Sequence, residues 1–165
     1  MCIARILKHL TTTKGHVSAL FSEADLQEIQ QAITASEKQH NGEVVFFVEK
    51  SLPLSKLRQN LTSRERALEI FSQMRVWDTA QNKGVMIYLL VADRKFEIIA
   101  DRGLDQVVKS AGWEQIKTNL EENFRQRNFK EGILQALTVI TRHLSQAFPY
   151  VAGDKNELSD DVKFV

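Results

Sequence analysis

Two stretches of the chain have no polar side at all. Val85 to Ala92 is an unbroken apolar run, and Val44-Val45-Phe46-Phe47-Val48 is a shorter one. Their Val, Ile, Phe and Tyr content predicts strands buried on both faces. After Asp93-Arg94 the pattern changes to alternation, with Phe96, Ile98 and Ala100 on one face and Glu97, Ile99 and Asp101 on the other. That predicts a hairpin and a more peripheral third strand.

Elsewhere the period is helical. Leu26, Ile29 and Ile33 form one stripe, opened by Ser22 as cap with Phe21 stapled onto Leu26. Asn41-Gly42 ends that helix. Thr62-Ser63-Arg64-Glu65 is a capping box opening a helix whose core face is read as Ala67, Leu68, Phe71 and Met74. A polar link after Leu104 leads to the stripe Trp113, Ile116, Leu120 and Phe124. A second capping box, Asn128 to Glu131, opens the stripe Ile133, Leu137, Ile140 and Leu144, which Pro149 ends.

Strand, crossover helix, strand makes the first two strands parallel. The hairpin adds an antiparallel third. The expected fold is α/β: a three-layer α/β/α sandwich around a small mixed, mostly parallel sheet. The domain spans 21–148. Residues 1–20 form an N-terminal extension in which Ile3, Ile6, Leu7 and Leu10 share a helical face beside Arg5, Lys8 and His9. One reading of residues 3–10 is a weak membrane-surface or partner contact. The other, favoured by the shortness of the segment, is a helix folded against the domain. Residues 149–165 are polar and aperiodic and read as a disordered tail.

The run Arg75-Val-Trp-Asp, Asn82-Lys-Gly-Val-Met-Ile-Tyr and Asp93-Arg-Lys-Phe-Glu-Ile-Ile-Ala-Asp-Arg-Gly-Leu resembles the TPM-domain family. That family takes in thylakoid-lumen photosystem-repair proteins, bacterial membrane-linked proteins and an acetylcholine-receptor modulator. The resemblance covers about residues 21–148 and points to a small bacterial branch without a secretory leader. It implies the α/β/α architecture. It also implies a site at the sheet edge formed by the Gly before the first strand, the Asn-Gly before the second and the Gly-x-Gly-Leu after the third. Some members are described there as binding divalent metal and as weak phosphatases. Two motifs depart from the family: Asp-Asn-Gly becomes Asn82-Lys83-Gly84, and Gly-x-Gly-Leu becomes Asp101-Arg102-Gly103-Leu104.

Composition narrows the function classes. At 165 residues, 43% apolar and 26% charged, the chain is an ordinary globular domain with a real core. Lys+Arg 22 against Asp+Glu 21 leaves a net charge of +1, too little field to hold nucleic acid. A single cysteine, Cys2, excludes an internal disulfide and a multi-thiolate zinc site, and permits a cytoplasmic setting. No run is long enough to span a bilayer, and the N-terminus lacks the apolar core of a leader.

There is no phosphate loop, nucleophile elbow or H-E-x-x-H helix, so no nucleotide or organic cofactor is expected. His9, His16, His40 and His143 are scattered and read as surface residues. Trp77 and Trp113 read as core. Strand direction gathers Asn41, Glu43, Asp78, Asn82, Asp101 and Arg102 at one edge. Their oxygens are hard ligands, suited to Ca²⁺ or Mg²⁺. Glu43, Asp78 and Asp101 are the candidate metal ligands, with Asn41 and Asn82 nearby and Arg102 as candidate phosphate clamp. Gly42, Gly84 and Gly103 leave room for a close approach to backbone. The plainer reading of the same residues is an ion-paired loop edge, Asp78 or Asp101 with Lys83, Arg75 or Arg102. The opposite edge offers Glu49, Ser51, Asp93 and Arg94. The expected function is an accessory or binding module for a protein partner; the alternative is a weak divalent-metal-dependent phosphatase.

Overall fold

In a computed structural model, residues 3–79, 82–152 and 157–165 are described. Cys2 and residues 153–156 lie outside them. In chain order the elements are α1 (Ile3–Thr11), α2 (Lys14–Ser18), α3 (Glu23–Glu37), β1 (Glu43–Glu49), α4 (Leu54–Arg58), α5 (Ser63–Gln73), β2 (Gly84–Leu90), β3 (Lys95–Ala100), α6 (Arg102–Arg125), α7 (Phe129–Ala147) and β4 (Lys163–Phe164). No helix among the described residues is long and apolar enough to cross a membrane.

The two apolar runs become the central pair of the sheet. β1 and β2 are parallel, from Glu43 opposite Gly84 to Glu49 opposite Leu90. β3 returns antiparallel to β2, from Val85 opposite Ala100 to Leu90 opposite Lys95. Both faces are covered, which is why neither central strand could carry a polar side. One face, with Val44, Phe46, Val48, Val85, Ile87 and Leu89, packs on α3, α6 and α7. The other, with Val45, Phe47, Met86, Tyr88 and Ile99, packs on α5 and takes Ile6 of α1 and Leu158 at its margin. The sandwich architecture is as expected.

The order of the sheet is β3-β2-β1-β4. The fourth strand overturns the expected disorder over the described part of 149–165. Phe47 and Val48 pair in parallel with Lys163 and Phe164, and the Val165 amide donates to the Val48 carbonyl at 3.1 Å. A two-residue strand, Lys163 half-buried and Phe164 exposed, leaves no readable period.

Other expectations shift in detail. The inward face of α5 is Arg66, Ala67, Ile70 and Phe71, while Leu68 and Met74 are exposed. The helix is rotated so that Arg66 reaches a buried carboxylate on β1. Trp113 is buried, but Trp77 is exposed, its indole N–H donating to the Ser72 carbonyl at 3.3 Å. No polar link follows Leu104: α6 starts at Arg102, and its break comes at Lys109, which has a left-handed φ of 59°. The Thr62–Glu65 capping box forms, whereas Asn128 makes no side-chain cap bond.

Candidate functional site

Glu43 and Asp101 meet the sheet at the same end. Glu43 lies opposite Gly84, and the Gly84 carbonyl accepts the Asp101 amide at 2.9 Å. Strand direction thus brings the backbone of Glu43 and Asp101 to one end of the sheet. The side chains, however, go to separate partners.

Glu43 is buried, and its carboxylate accepts the backbone amides of Glu157 at 3.0 Å and Leu158 at 3.2 Å. Burial raises its pKa, and those two amides draw it part of the way back. Asn41 accepts the Val151 amide at 2.8 Å. Asp78 is exposed and ion-paired with Arg75, the pairing anticipated for a plain loop edge. Asn82 is exposed and sits at a φ of 56°, a turn conformation that asparagine tolerates. Asp101 is buried at the N-cap of α6, with Oδ1 accepting the Arg102 amide at 2.7 Å. Its Oδ2 is buried and has no hydrogen-bond partner among the described residues. Arg102 stands exposed beside it.

Lys83, where the family pattern has an amide, is buried with Nζ 5.7 Å from the centre of the Phe148 ring. Two of the glycines serve packing and give a ligand no room. A Cβ on Gly42 would lie 2.5 Å from Leu144 Cδ2, and one on Gly84 would lie 2.1 Å from the Val76 carbonyl oxygen. Among the described residues, no three His, Cys, Asp or Glu side chains group so as to hold a metal ion. A three-carboxylate cation site thus does not fit these side chains as they stand; the oxygen left open is Asp101 Oδ2.

The same edge contains a histidine that the pattern placed on the surface. His40 is buried; Nδ1 accepts the Gly42 amide at 3.1 Å, which leaves Nε2 to carry the proton toward Ser36 Oγ at 2.8 Å. Burial is the main reason its pKa falls to about 4.

The opposite edge holds a denser polar arrangement. Glu49, 2% exposed, receives a two-pronged contact from Arg66, Nε at 2.9 Å and Nη2 at 3.0 Å, and the Tyr88 hydroxyl at 2.6 Å. Burial first, and then Glu49, push the Tyr88 phenol well above its ordinary range. Nearby, Asp93 accepts Arg5 Nη2 at 2.7 Å and His9 Nε2 at 3.0 Å. Burial alone would raise the Asp93 carboxyl; the Arg5 and His9 bonds outweigh it and hold it below its usual value. The other His9 nitrogen accepts the Leu52 amide at 2.9 Å, so His9, too, is buried rather than on the surface.

These contacts mount α1 on the domain by its polar side. Ile6 is half-buried against the core, but Ile3, Leu7 and Leu10 are 71%, 56% and 60% exposed. The sequence signal that could have found this was Arg5 and His9 sharing a turn, one residue off the apolar stripe. Arg66 and Tyr88 gave no signal beyond a Glu closing an otherwise apolar strand.

Comparison with known proteins agrees with this fold. No curated protein matches the chain. The BA42 protein of the psychrophilic bacterium Bizionia argentinensis, solved by NMR, superposes with a TM-score of 0.75 at 26% identity, over 88% of this chain and 95% of that one. The N-terminal domain of a P. gingivalis protein superposes with a TM-score of 0.63 at 18% identity, over 79% and 80%. The sequence profile of the TPM domain matches residues 17–143. That match spans most of the chain, and the protein belongs to the TPM-domain family.

Proposed function

We propose that this TPM domain is a binding module that acts on a protein partner through the outward face of α1. The observation that carries the proposal is the inverted mounting of that helix. An amphipathic helix on a globular domain normally buries its apolar stripe. Here Arg5 and His9 grip Asp93, and Ile3, Leu7 and Leu10 are presented to solvent. Each of these side chains would gain about 1.5–3 kcal/mol on full burial against a partner. The setting we propose is bacterial and cytoplasmic, supported by the single cysteine and by the bacterial sources of both structural relatives.

The test is affinity capture from the native cell with the wild type and a Leu7→Asp/Leu10→Asp variant, beside flotation with vesicles containing anionic lipid. A partner held by the wild type and lost by the variant is the expected result. Recovery of the same proteins by both would overturn the proposal. Flotation of the wild type alone would assign residues 3–10 to a membrane surface instead.

A second reading is a divalent cation, Ca²⁺ or Mg²⁺, at the Asp101 edge, with weak phosphatase activity. It is favoured by Asp101 Oδ2, which has no hydrogen-bond partner among the described residues, and by Arg102 beside it. It requires Glu43 to leave the Glu157 and Leu158 amides, and Asp78 to leave Arg75. Titrating millimolar Ca²⁺ and Mg²⁺ while recording amide shifts tests it: shifts centred on 41–43, 82–84 and 101–103 support it, and none there removes it.

A further inference from the structure

β1 has a neighbour on each side, but the two are very unequal. Toward β2 the pairing runs the whole length of the strand; toward β4 it is two residues long. The rest of that outer edge is closed by side chains and by the segment leading into β4. The Val44 amide donates to Glu37 Oε1 at 3.1 Å. Glu43 holds the amides of Glu157 and Leu158. Asp160 accepts the Thr34 hydroxyl at 2.5 Å, and Asp161 accepts the Gln30 amide nitrogen at 2.6 Å. Lys163 Nζ lies 5.8 Å from the centre of the Phe47 ring, and the side chains of Phe164 and Val165 are largely exposed.

We propose that residues 157–165 are a displaceable strap over a strand-addition edge, and that β1 accepts in its place an extended segment of a partner protein with the same pattern: adjacent acids followed by a short apolar strand. Most of what holds the strap is generic to such a peptide. Two successive backbone amides bind Glu43, two carboxylates bind α3, and main-chain bonds continue the sheet. The strap's apolar anchors are two half-buried side chains, Leu158 and Val162, one against each core face, and an apolar residue at the same positions of a competing strand would replace them. This proposal concerns a surface separate from the outward face of α1 and does not rest on it.

The strap also has a built-in means of release. Glu37 faces the carboxylates of Glu43 on β1 and Asp160 on the strap; Glu43 in turn faces Glu37 on α3 as well as Glu157 and Asp160 on the strap. Burial is the first cause of the rise of the Glu37 pKa to about 9; the two carboxylates add to it and the Val44 amide opposes it. The part of that rise supplied by Asp160 exists only with the strap docked; it favours docking most below the ordinary value, 4.5, and is lost as pH rises through about 9. An ionised Glu37 facing Asp160 and Glu43 pushes the strap away.

Two measurements on the full chain test this. The first is hydrogen exchange at the Leu158 and Val165 amides between pH 5 and 9, corrected for intrinsic rates. Protection that falls with pH in the wild type and falls less in Glu37→Gln, where Glu43 still titrates, is expected; the same profile in both overturns it. The second is titration of a fluorescent, C-terminally amidated peptide of residues 157–165 in trans. It should bind Asp160→Ala/Asp161→Ala about tenfold more tightly than the wild type, a gain of about 1.4 kcal/mol from the weakened internal competitor. Adding Glu43→Gln to that variant should abolish the gain. Equal affinity for the wild type and the double variant, or no binding to either, refutes strand addition at β1.

Discussion

Replacing Arg66 by methionine isolates the buried charge on β1. The substitution keeps an unbranched apolar stem and removes both prongs of the contact to Glu49, at 2.9 and 3.0 Å. The carboxylate is then left with the Tyr88 hydroxyl alone, in a position 2% exposed to water. Breaking one partner of such a pair costs about 3–5 kcal/mol, because the remaining ion is neither hydrated nor neutralised. A domain of this size has a total stability of about 5–15 kcal/mol, so Arg66→Met alone removes a large share of it. Removing both charges is different: Glu49→Leu/Arg66→Met should cost far less than the sum of the singles. What remains is chiefly the buried Tyr88 hydroxyl left without an acceptor, worth about 1–3 kcal/mol. Adding Tyr88→Phe should recover most of that. Urea unfolding at pH 7, followed by far-UV circular dichroism, gives the four free energies and a coupling expected to be about 3 kcal/mol. A cost below about 1 kcal/mol for Arg66→Met, or a double variant as unstable as the sum of its singles, would refute the reasoning.

Three further outcomes follow from the geometry. His40, held neutral with a pKa of about 4 against an ordinary 6.5, contributes stability present above pH 6.5 and lost as pH falls through about 4. Stability measured against His40→Gln should therefore shrink by about 2–3 kcal/mol between pH 7 and 4; the comparison is with the variant because Glu37 acts in the opposite sense over part of that range, and a pH-independent difference would contradict it. Gly84→Ala sets a methyl 2.1 Å from the Val76 carbonyl oxygen and should cost about 1–3 kcal/mol or more. Gly15→Ala, whose nearest neighbour is 3.5 Å away in a helix, should be neutral or stabilising by up to about 1 kcal/mol, and thermal unfolding of the pair distinguishes packing from backbone freedom. Asp93→Ala should free α1, seen as faster tryptic cleavage after Lys8 and faster exchange of the Leu52 amide; unchanged rates would mean the helix is held by Ile6 instead.

The central sheet was readable because burial on both faces leaves a pattern that admits few alternatives. Val44–Val48 and Val85–Ala92 determine two parallel strands, and the alternation from Phe96 to Asp101 determines the returning one. The candidate edge was readable to the same depth, since strand direction alone puts Glu43 and Asp101 at one end. Where their side chains point was not, because that depends on residues far away in sequence. Glu43 is claimed by the amides of Glu157 and Leu158, which carry no side-chain signature at all. Leu68 and Met74 looked like core because period alone fixes a stripe only to within a residue, and Arg66 settled the rotation by needing to meet Glu49. His9 and His40 were misplaced for a related reason: each is buried by accepting a backbone amide, a bond that composition cannot register.

The clasp on α1 is made of charge, and this sets how solution conditions act on it. Arg5 and Asp93 are both partly open to solvent, so dissolved ions can screen their attraction. Ordinary concentrated salt should loosen the first helix while leaving the sheet untouched. A strongly excluded salt such as sulfate reinforces apolar burial instead, and would drive Ile3, Leu7 and Leu10 toward whatever apolar surface is within reach.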